Sequence, residues 1–207
     1  GKVSREVLPG EVYRLYPGGS ALGLYLAMRD MKPGIDPLGE ENNLVFSVSA
    51  LTGLPISGIS RVNVTAKSPL TGGMGDSQAG GFFPVHIKAN GLDAIVVKGK
   101  ADKPLYIFID GEDVELKDAS SIWGKVTGEA EKLIREDLGR DDVEIAQIGP
   151  GGENLVNYAC IINMCNRANG RNGMGAVMGS KNLKAIVVAK GKSQKPVDPD
   201  GFFSLSK

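Results

Sequence analysis

The sequence predicts a fold of mixed helices and strands that contains an internal repeat, and three observations lead to this prediction. Apolar residues recur at helical spacing within 20–33 and again within 127–139. Short runs of β-branched residues lie between Gly-rich turns, which is typical of strands. The third observation is a series that occurs twice, over 72–100 and over 170–192: a Gly-rich loop, a short helix, Ala-Ile-Val-Val and Lys-Gly-Lys. This repetition suggests a duplicated unit.

The clearest helices carry recognisable start or stop signals. Ser20 is expected to cap a helix that ends before Pro33, and Pro84 fits the first turn of a short helix over 82–90. Thr127 is expected to cap the most regular helix of the chain. The apolar face of that helix holds Ala130, Leu133, Ile134 and Leu138, and Gly139 follows its last residue.

The predicted strands include one close to the first residue and a hairpin around Asp110-Gly111. In the segment 61–67 apolar and polar residues alternate, so that Val62 and Val64 face one way while Asn63 faces the other. The Gly-rich stretches 68–81 and 149–152 are predicted as loops. The predicted strands are 2–7, 44–50, 61–67, 94–97, 105–110, 114–116 and 143–148, together with the second Ala-Ile-Val-Val run.

Composition excludes several classes of protein. Lysines and arginines number 24 and acidic residues also number 24, so no overall field favours a nucleic acid or an anionic membrane as partner. No apolar run approaches the roughly 20 residues of a membrane-spanning helix, and the first residues lack the pattern of a secretory signal. Cys160 and Cys165 cannot complete a four-ligand zinc or iron–sulfur site, so we expect them to be reduced and partly buried in a cytoplasmic protein.

The segment 166–192 has the composition of a phosphate-binding loop. It contains Arg167 and Arg171 and no acidic residue, and four glycines follow within ten positions (Gly170, Gly173, Gly175 and Gly179). Backbone N–H groups beside guanidinium groups bind phosphate well, although a solvated turn before a buried strand is the alternative. A dinucleotide site is excluded because the residues before this loop are polar. The single histidine, His86, lies between apolar residues and is expected to pack rather than react.

Six motifs occur in order along the chain: GIDPLGEENNLVFSVSALTGLPISGISR, KSPLTGGMGDSQAGGFF, GLDAIVVKGKADKPLYIFI, DASSIWGK, IGPGGENLV and NRANGRNGMGAVMGSKNLKAIVV. Together they resemble the N-terminal domain of the tungsten-containing aldehyde:ferredoxin oxidoreductase family, from about residue 13 to residue 192. The resemblance implies an α+β fold with two similar β-sheet halves related by a pseudo-twofold axis. It also implies that these halves form the base for a tungsten (or molybdenum) bis-molybdopterin cofactor, whose two phosphates are bridged by magnesium.

The resemblance also implies which residues bind this cofactor. In the first half these would be Arg61, Gln78, Ala79 and Gly80, and in the second half Arg167, Ala168, Gly170 and Arg171. Magnesium would be held by the backbone carbonyls of Gln78 and Ala168, and oxygen ligands of this kind suit that ion. No catalytic residue is assigned to this segment. Three positions depart from the family pattern: Ser20 stands where Arg is common, Gln78 where Asn is usual, and His86 where Glu is frequent.

For the whole enzyme the resemblance implies oxidation of an aldehyde to a carboxylate with ferredoxin as the electron acceptor. It places the 4Fe–4S cluster ligands in later helical domains, so we expect residues 1–193 to form the cofactor base and 194–207 to lead toward those domains. We expect the 207-residue chain alone to be inactive, and to form a homo-oligomer through its uncovered apolar surface. Two alternatives stay open: a stand-alone module that binds molybdopterin or another phosphate ligand without catalysis, and a scaffold without a ligand.

Overall fold

The computed structural model describes residues 1–205, in which seven helices and ten strands are formed. The helices are α1 (Gly10–Leu15), α2 (Gly19–Arg29), α3 (Phe83–Ala89), α4 (Thr127–Leu138), α5 (Pro150–Glu153), α6 (Met174–Ser180) and α7 (Pro199–Leu205). The strands are β1 (Leu44–Val48), β2 (Val62–Lys67), β3 (Met74–Ala79), β4 (Ala94–Val97), β5 (Leu105–Asp110), β6 (Asp113–Asp118), β7 (Val143–Gln147), β8 (Ile161–Asn163), β9 (Arg167–Asn169) and β10 (Leu183–Ala189).

The strands form two sheets. The first has the order β3-β2-β1-β4, and every neighbouring pair in it is antiparallel. The second has the order β6-β5-β10-β7-β8-β9, in which only β5 and β10 run parallel. Mixed helices with two largely antiparallel sheets confirm the predicted α+β class.

Part of the second sheet repeats the plan of the first. The four strands β9-β8-β7-β10 have the same order and the same antiparallel directions as β3-β2-β1-β4. A short helix, α3 or α6, precedes the last strand of each set. The β5–β6 hairpin joins β10 alone, so the sheets differ in size. Strand order does not measure symmetry, and the internal duplication with its pseudo-twofold axis therefore stays a prediction.

The main core lies between the two sheets, where α3 and α6 also contribute side chains. Two smaller cores lie on the outer faces: α2 packs on the first sheet, and α4 packs on the second. Fully buried members of the central core include Phe46, Val64, Phe83, Met174 and Ile186.

The alternation predicted for β2 is confirmed in the central core, because Val62, Val64 and Ala66 all belong to it. The polar residues Asn63 and Thr65 face the other way and are nevertheless buried, because α2 lies close against that face. Gly23 permits this approach, since a Cβ there would lie 2.5 Å from Thr65 Oγ1.

The four predicted helices are present as α2, α3, α4 and α6, but two predicted caps are wrong. Gly18 precedes α2, and the Ser20 hydroxyl donates a hydrogen bond to Asp76 Oδ2 (2.9 Å) instead of capping the helix. Thr127 is the first helical residue of α4, and Val126 precedes it without a side-chain cap. The α2 helix ends at Arg29, before Pro33 as predicted, and Gly139 follows α4 in the left-handed conformation as expected.

Several strand predictions need correction. No strand forms over 2–7, because this segment meets the β5–β6 hairpin only through side chains, such as Arg5 Nη2 donating to Gly111 O. The predicted loop 68–81 contains β3, whose small inward residues gave no apolar signal. Two short strands, β8 and β9, and the short helix α5 were not predicted. The strand 94–97 is half-buried at a sheet edge rather than buried, while the hairpin and β7 agree with prediction.

None of the helices in the described part of the chain is long and apolar enough to cross a membrane. The C-terminal stretch from residue 194 includes α7, and the proposed boundary at 193 stays a prediction.

Lys181, directly after the last residue of α6, is only 2% exposed. Its Nζ donates to Gly99 O (3.0 Å), and burial lowers the pKa of Lys181 to about 8, against an opposing effect of the Glu40 charge. Between about pH 8 and about pH 10.5, Lys181 is therefore protonated in the unfolded chain and neutral in the folded chain. The free energy of unfolding should rise with pH over that window, because the unfolded chain binds one more proton than the folded chain.

In a Lys181→Met variant that rise should be smaller by about 3 kcal/mol. Urea denaturation of both proteins from about pH 7 to about pH 10.5 measures it. Parallel stability curves would show that Lys181 does not carry a lowered pKa.

Candidate functional site

The free edge of β3 in the first sheet lies against β9 at the edge of the second sheet. We call residues 77–81 and 167–172 the sheet junction. The buried Asn169 side chain joins the two edges, because its Nδ2 donates to Ser77 O (2.7 Å) and to Val62 O (3.3 Å). The two loops that the sequence predicts as separate halves of a binding site are therefore adjacent.

The loop after β9 is fastened to β3 by further hydrogen bonds. Arg171 N donates to Ser77 Oγ (3.1 Å), and Asn172 Nδ2 donates to Asp76 O (2.9 Å). Asn172 and Gly173 both have left-handed backbones, with φ of 63° and 69°. At Gly173 a Cβ would also collide with the carbonyl oxygen of Asn157, so only glycine fits there.

Three arginines lie at or beside the junction without partners. Arg61 directly precedes Val62, whose carbonyl accepts from Asn169, while Arg167 and Arg171 lie two residues before and after Asn169. All three are exposed, and none of their side chains makes a hydrogen bond or ion pair within residues 1–205. Guanidinium groups left unpaired at one place are suited to an anion such as phosphate.

Backbone donors are also available at the junction. Neither Gly80 N–H nor Gly170 N–H donates a hydrogen bond in the part of the chain that the structure describes. A Cβ built at either glycine would find no atom closer than 3.7 Å, so the backbone at both positions is open to approach. Unpaired arginines beside free N–H groups form a donor set that fits phosphate.

The remaining predicted site residues occupy the same junction with different exposures. Gln78 on β3 and Ala168 on β9 are exposed. Ala79 is 3% exposed and its side chain belongs to the central core, so only its backbone can face a ligand. No cluster of three His, Cys, Asp or Glu side chains that could hold a metal ion occurs within residues 1–205.

The hairpin that joins β8 to β9 holds the loop after β3 in place. Met164 and Cys165 both have left-handed backbones, with φ of 51° and 52°, which is unfavourable for side chains of this kind. Phe82 N donates to Met164 Sδ (3.3 Å). The Cys165 thiol donates to Glu131 Oε2 (3.1 Å), and desolvation at this contact together with the carboxylate raises the pKa of Cys165 to about 11. Cys165 is therefore a thiol at neutral pH.

His86 lies away from the junction on α3, where its Nδ1 is 3.2 Å from Val188 O. Burial lowers the pKa of His86, with the bond to Val188 opposing this effect. Burial thus favours the neutral imidazole, and the half-buried ring lies against β10 at Val188.

The profile of the family described as "Aldehyde ferredoxin oxidoreductase, N-terminal domain" matches residues 1–190. The chain belongs to this family. The tungsten-containing aldehyde ferredoxin oxidoreductase of Pyrococcus furiosus is 46% identical over 202 residues, which are 98% of this chain and 33% of that protein. The enzyme of the same name from Pyrococcus horikoshii is 44% identical over 205 residues, which are 99% of this chain and 34% of that protein.

This aldehyde ferredoxin oxidoreductase domain thus spans about a third of the length of the curated relatives it matches. A solved structure, the active site complex BamBC of benzoyl coenzyme A reductase with 1,5-dienoyl-CoA, superimposes with a TM-score of 0.96. That structure is 34% identical in sequence, and the superposition covers 100% of this chain and 31% of the other chain. The same domain is therefore shared by proteins whose names describe different reactions.

At the position where the resemblance implies a common arginine, this family member has uncharged donors around the Asp76 carboxylate. Asp76 accepts hydrogen bonds from Ser20 Oγ, from Asn63 Nδ2 (2.9 Å) and from Thr65 Oγ1 (3.3 Å). No lysine or arginine within residues 1–205 forms an ion pair with Asp76. Neutral donors thus replace the cation that an arginine at position 20 would supply.

Three polar residues in or beside the sheet junction were not predicted from the sequence: Ser77, Asn163 and Asn169. Each is buried and polar, and each contacts residues remote in sequence. An asparagine inside an apolar segment, as Asn163 is after Ile161 and Ile162, was the one available signal.

Proposed function

We propose that the sheet junction is the phosphate-binding base for a bis-molybdopterin cofactor that carries tungsten or molybdenum. The single observation that carries this proposal is the group of unpaired arginines, Arg61, Arg167 and Arg171, beside free backbone N–H donors on two loops joined by Asn169. The tungsten in the names of the relatives supports the choice of metal.

Each half of the junction would hold one pterin phosphate. Arg61, Gln78 and Gly80, with the Ala79 backbone, would serve the first half. Arg167, Ala168, Gly170 and Arg171 would serve the second half. Guanidinium groups fix phosphate by paired hydrogen bonds, and glycine N–H groups approach it closely. A magnesium ion between the phosphates would be held by the backbone carbonyls of Gln78 and Ala168, since this ion prefers oxygen ligands. Phosphate oxygens and water would be its other ligands.

When bound, the cofactor would supply two-electron redox chemistry, while the residues of this domain bind and orient it. For the whole enzyme we propose oxidation of an aldehyde to a carboxylate with ferredoxin as acceptor, and a 4Fe–4S cluster held outside this segment. The names of the relatives support this proposal. The aldehyde is not specified by the junction, because no residue there is assigned to the substrate.

Two further parts of the proposal concern the surroundings of the protein. A cytoplasmic location agrees with the reduced thiols of Cys160 and Cys165. Self-association is supported by apolar side chains that stay exposed close to the junction. Phe82 is 59% exposed and Tyr158 is 71% exposed.

Arg167→Ala tests the phosphate proposal. Because a hydrogen bond to a charged group contributes about 1.5–3 kcal/mol, the dissociation constant for pyrophosphate should rise about 10-fold or more. Calorimetric titration of the 207-residue chain measures it. Arg14→Ala is the matched control, because Arg14 is also exposed and unpaired but lies on α1. Equal affinities for the two variants would contradict the proposal.

A further inference from the structure

Asn163 is a buried polar residue with an unused acceptor beside the sheet junction. It is 1% exposed, and it pairs with Arg167 in β9 and with Ala146 in β7. Its Oδ1 accepts no hydrogen bond within residues 1–205. Gln147 Oε1 is also buried and unpartnered, but Gln147 lies on the α4 side of the sheet, where its Nε2 donates to Thr127 O.

The Asn163 oxygen points at the backbone of Gly81, in the loop after β3. A Cβ built at Gly81 would lie 2.5 Å from Asn163 Oδ1, so a side chain at Gly81 would occupy the space in front of this oxygen. Met164 Sδ and Arg167 Cγ would lie 2.9 Å and 3.4 Å from the same Cβ. Gly81, a residue of the sheet junction, thus faces the orphaned acceptor with backbone alone.

Of these two side chains beside Gly81, that of Arg167 is the one without a polar partner within residues 1–205. It forms no hydrogen bond or ion pair in the described chain, whereas Met164 is held by Phe82 N. If Arg167 turned toward a bound phosphate, its Cγ would move away from Gly81. A buried acceptor without a donor is uncommon in folded proteins and calls for a partner, and here the partner can come from the ligand.

We propose that Asn163 is a further ligand-binding residue, whose amide oxygen accepts a hydrogen bond from an N–H group of the heterocycle that the junction binds. This inference rests on the proposed function, since the arginines must first hold a phosphate of the same ligand. A pterin ring carries ring N–H and amino donors, so Asn163 selects a ligand with such donors over a plain phosphate ester. Water is the competing donor.

Asn163→Leu in the 207-residue chain separates the binding of the heterocycle from the binding of phosphate. The dissociation constant for unsubstituted pterin, measured by its fluorescence with pyrophosphate present, should rise about 3- to 10-fold, as expected for one hydrogen bond. The dissociation constant for pyrophosphate itself should stay unchanged. Gln147→Leu is the matched control, since it removes the other orphaned oxygen on the opposite face and should alter neither constant. Asn163→Asp keeps an oxygen acceptor and should retain pterin binding.

Three outcomes would overturn the inference. One is pterin affinity that Asn163→Leu leaves unchanged. The second is equal loss of pterin binding in the Leu and Asp variants, which would mean that shape and not the acceptor matters. The third is a wild-type chain that binds pyrophosphate but no pterin, which would leave the phosphate proposal standing. Absence of binding to both probes would instead defeat the proposed function as well. Unchanged pterin affinity in Asn163→Leu is also the result expected if water, and not the ligand, supplies the donor.

Discussion

Replacing Lys184 by methionine should lower the free energy of unfolding by about 3–5 kcal/mol, because it leaves a buried carboxylate without its partner. The Lys184 ammonium forms an ion pair with Glu153 Oε1, and the side chains of these residues are 0% and 3% exposed. Lys184 Nζ also donates to Lys125 O (2.9 Å). The register between β10 and β5 shifts at Lys184, and such a bulge redirects a side chain out of the regular strand pattern.

A second variant distinguishes a missing partner from a missing side chain. In Lys184→Met with Glu153→Leu no charge stays buried, so most of the lost stability should return. Urea denaturation of the wild type, the single variant and the double variant measures the difference. If the double variant were less stable than Lys184→Met alone, the ion pair would not be the cause of the loss.

Gly179→Ala should destabilise the fold by about 3 kcal/mol through overpacking between α5 and α6. A Cβ at Gly179 would collide with the carbonyl oxygen of Gly152, and this atom is backbone that cannot rotate away. At Gly152 a Cβ would in turn lie 2.9 Å from Gly175 O, so the two helices touch along glycines. Thermal unfolding at fixed pH measures the loss.

Gly128→Ala is the matched control for this prediction. Gly128 lies in α4, its backbone has no positive φ, and nothing lies within 4 Å of an added Cβ. This substitution should raise stability by about 0.5 kcal/mol, because alanine loses less backbone freedom on folding than glycine. Similar losses in both variants would show that collision at Gly179 is not the reason.

The parts of the fold that the sequence predicted are those with local signals. Apolar spacing and Gly139 located α4, and alternation gave the faces of β2. The strands β3 and β9 have polar or small residues and lie at sheet edges, so their position depends on partners remote in sequence. Ser20 failed as a cap because Asp76, 56 residues later, takes its hydroxyl. Single-sequence patterns contain no information about such distant partners.

The candidate site was predicted to a different extent. The arginines and glycines of 166–173 were found by composition, and the structure places them beside Gln78 and Gly80. Asn169 holds this segment against β3 by donating to two carbonyl oxygens that are 107 and 92 residues away in sequence. The orphaned oxygen of Asn163 could not be predicted either, because an unfilled acceptor becomes visible only when every neighbour has been placed.

The place of β10 in the second sheet has a consequence for how the chain is made. β10 lies between β5 and β7, yet it is the last of the ten strands to leave the ribosome. Until residues 183–189 emerge, the β5–β6 hairpin and the β7–β9 strands have no strand to connect them. The central core must then stay open until these residues have emerged, with apolar strand edges available to chaperones or to other nascent chains.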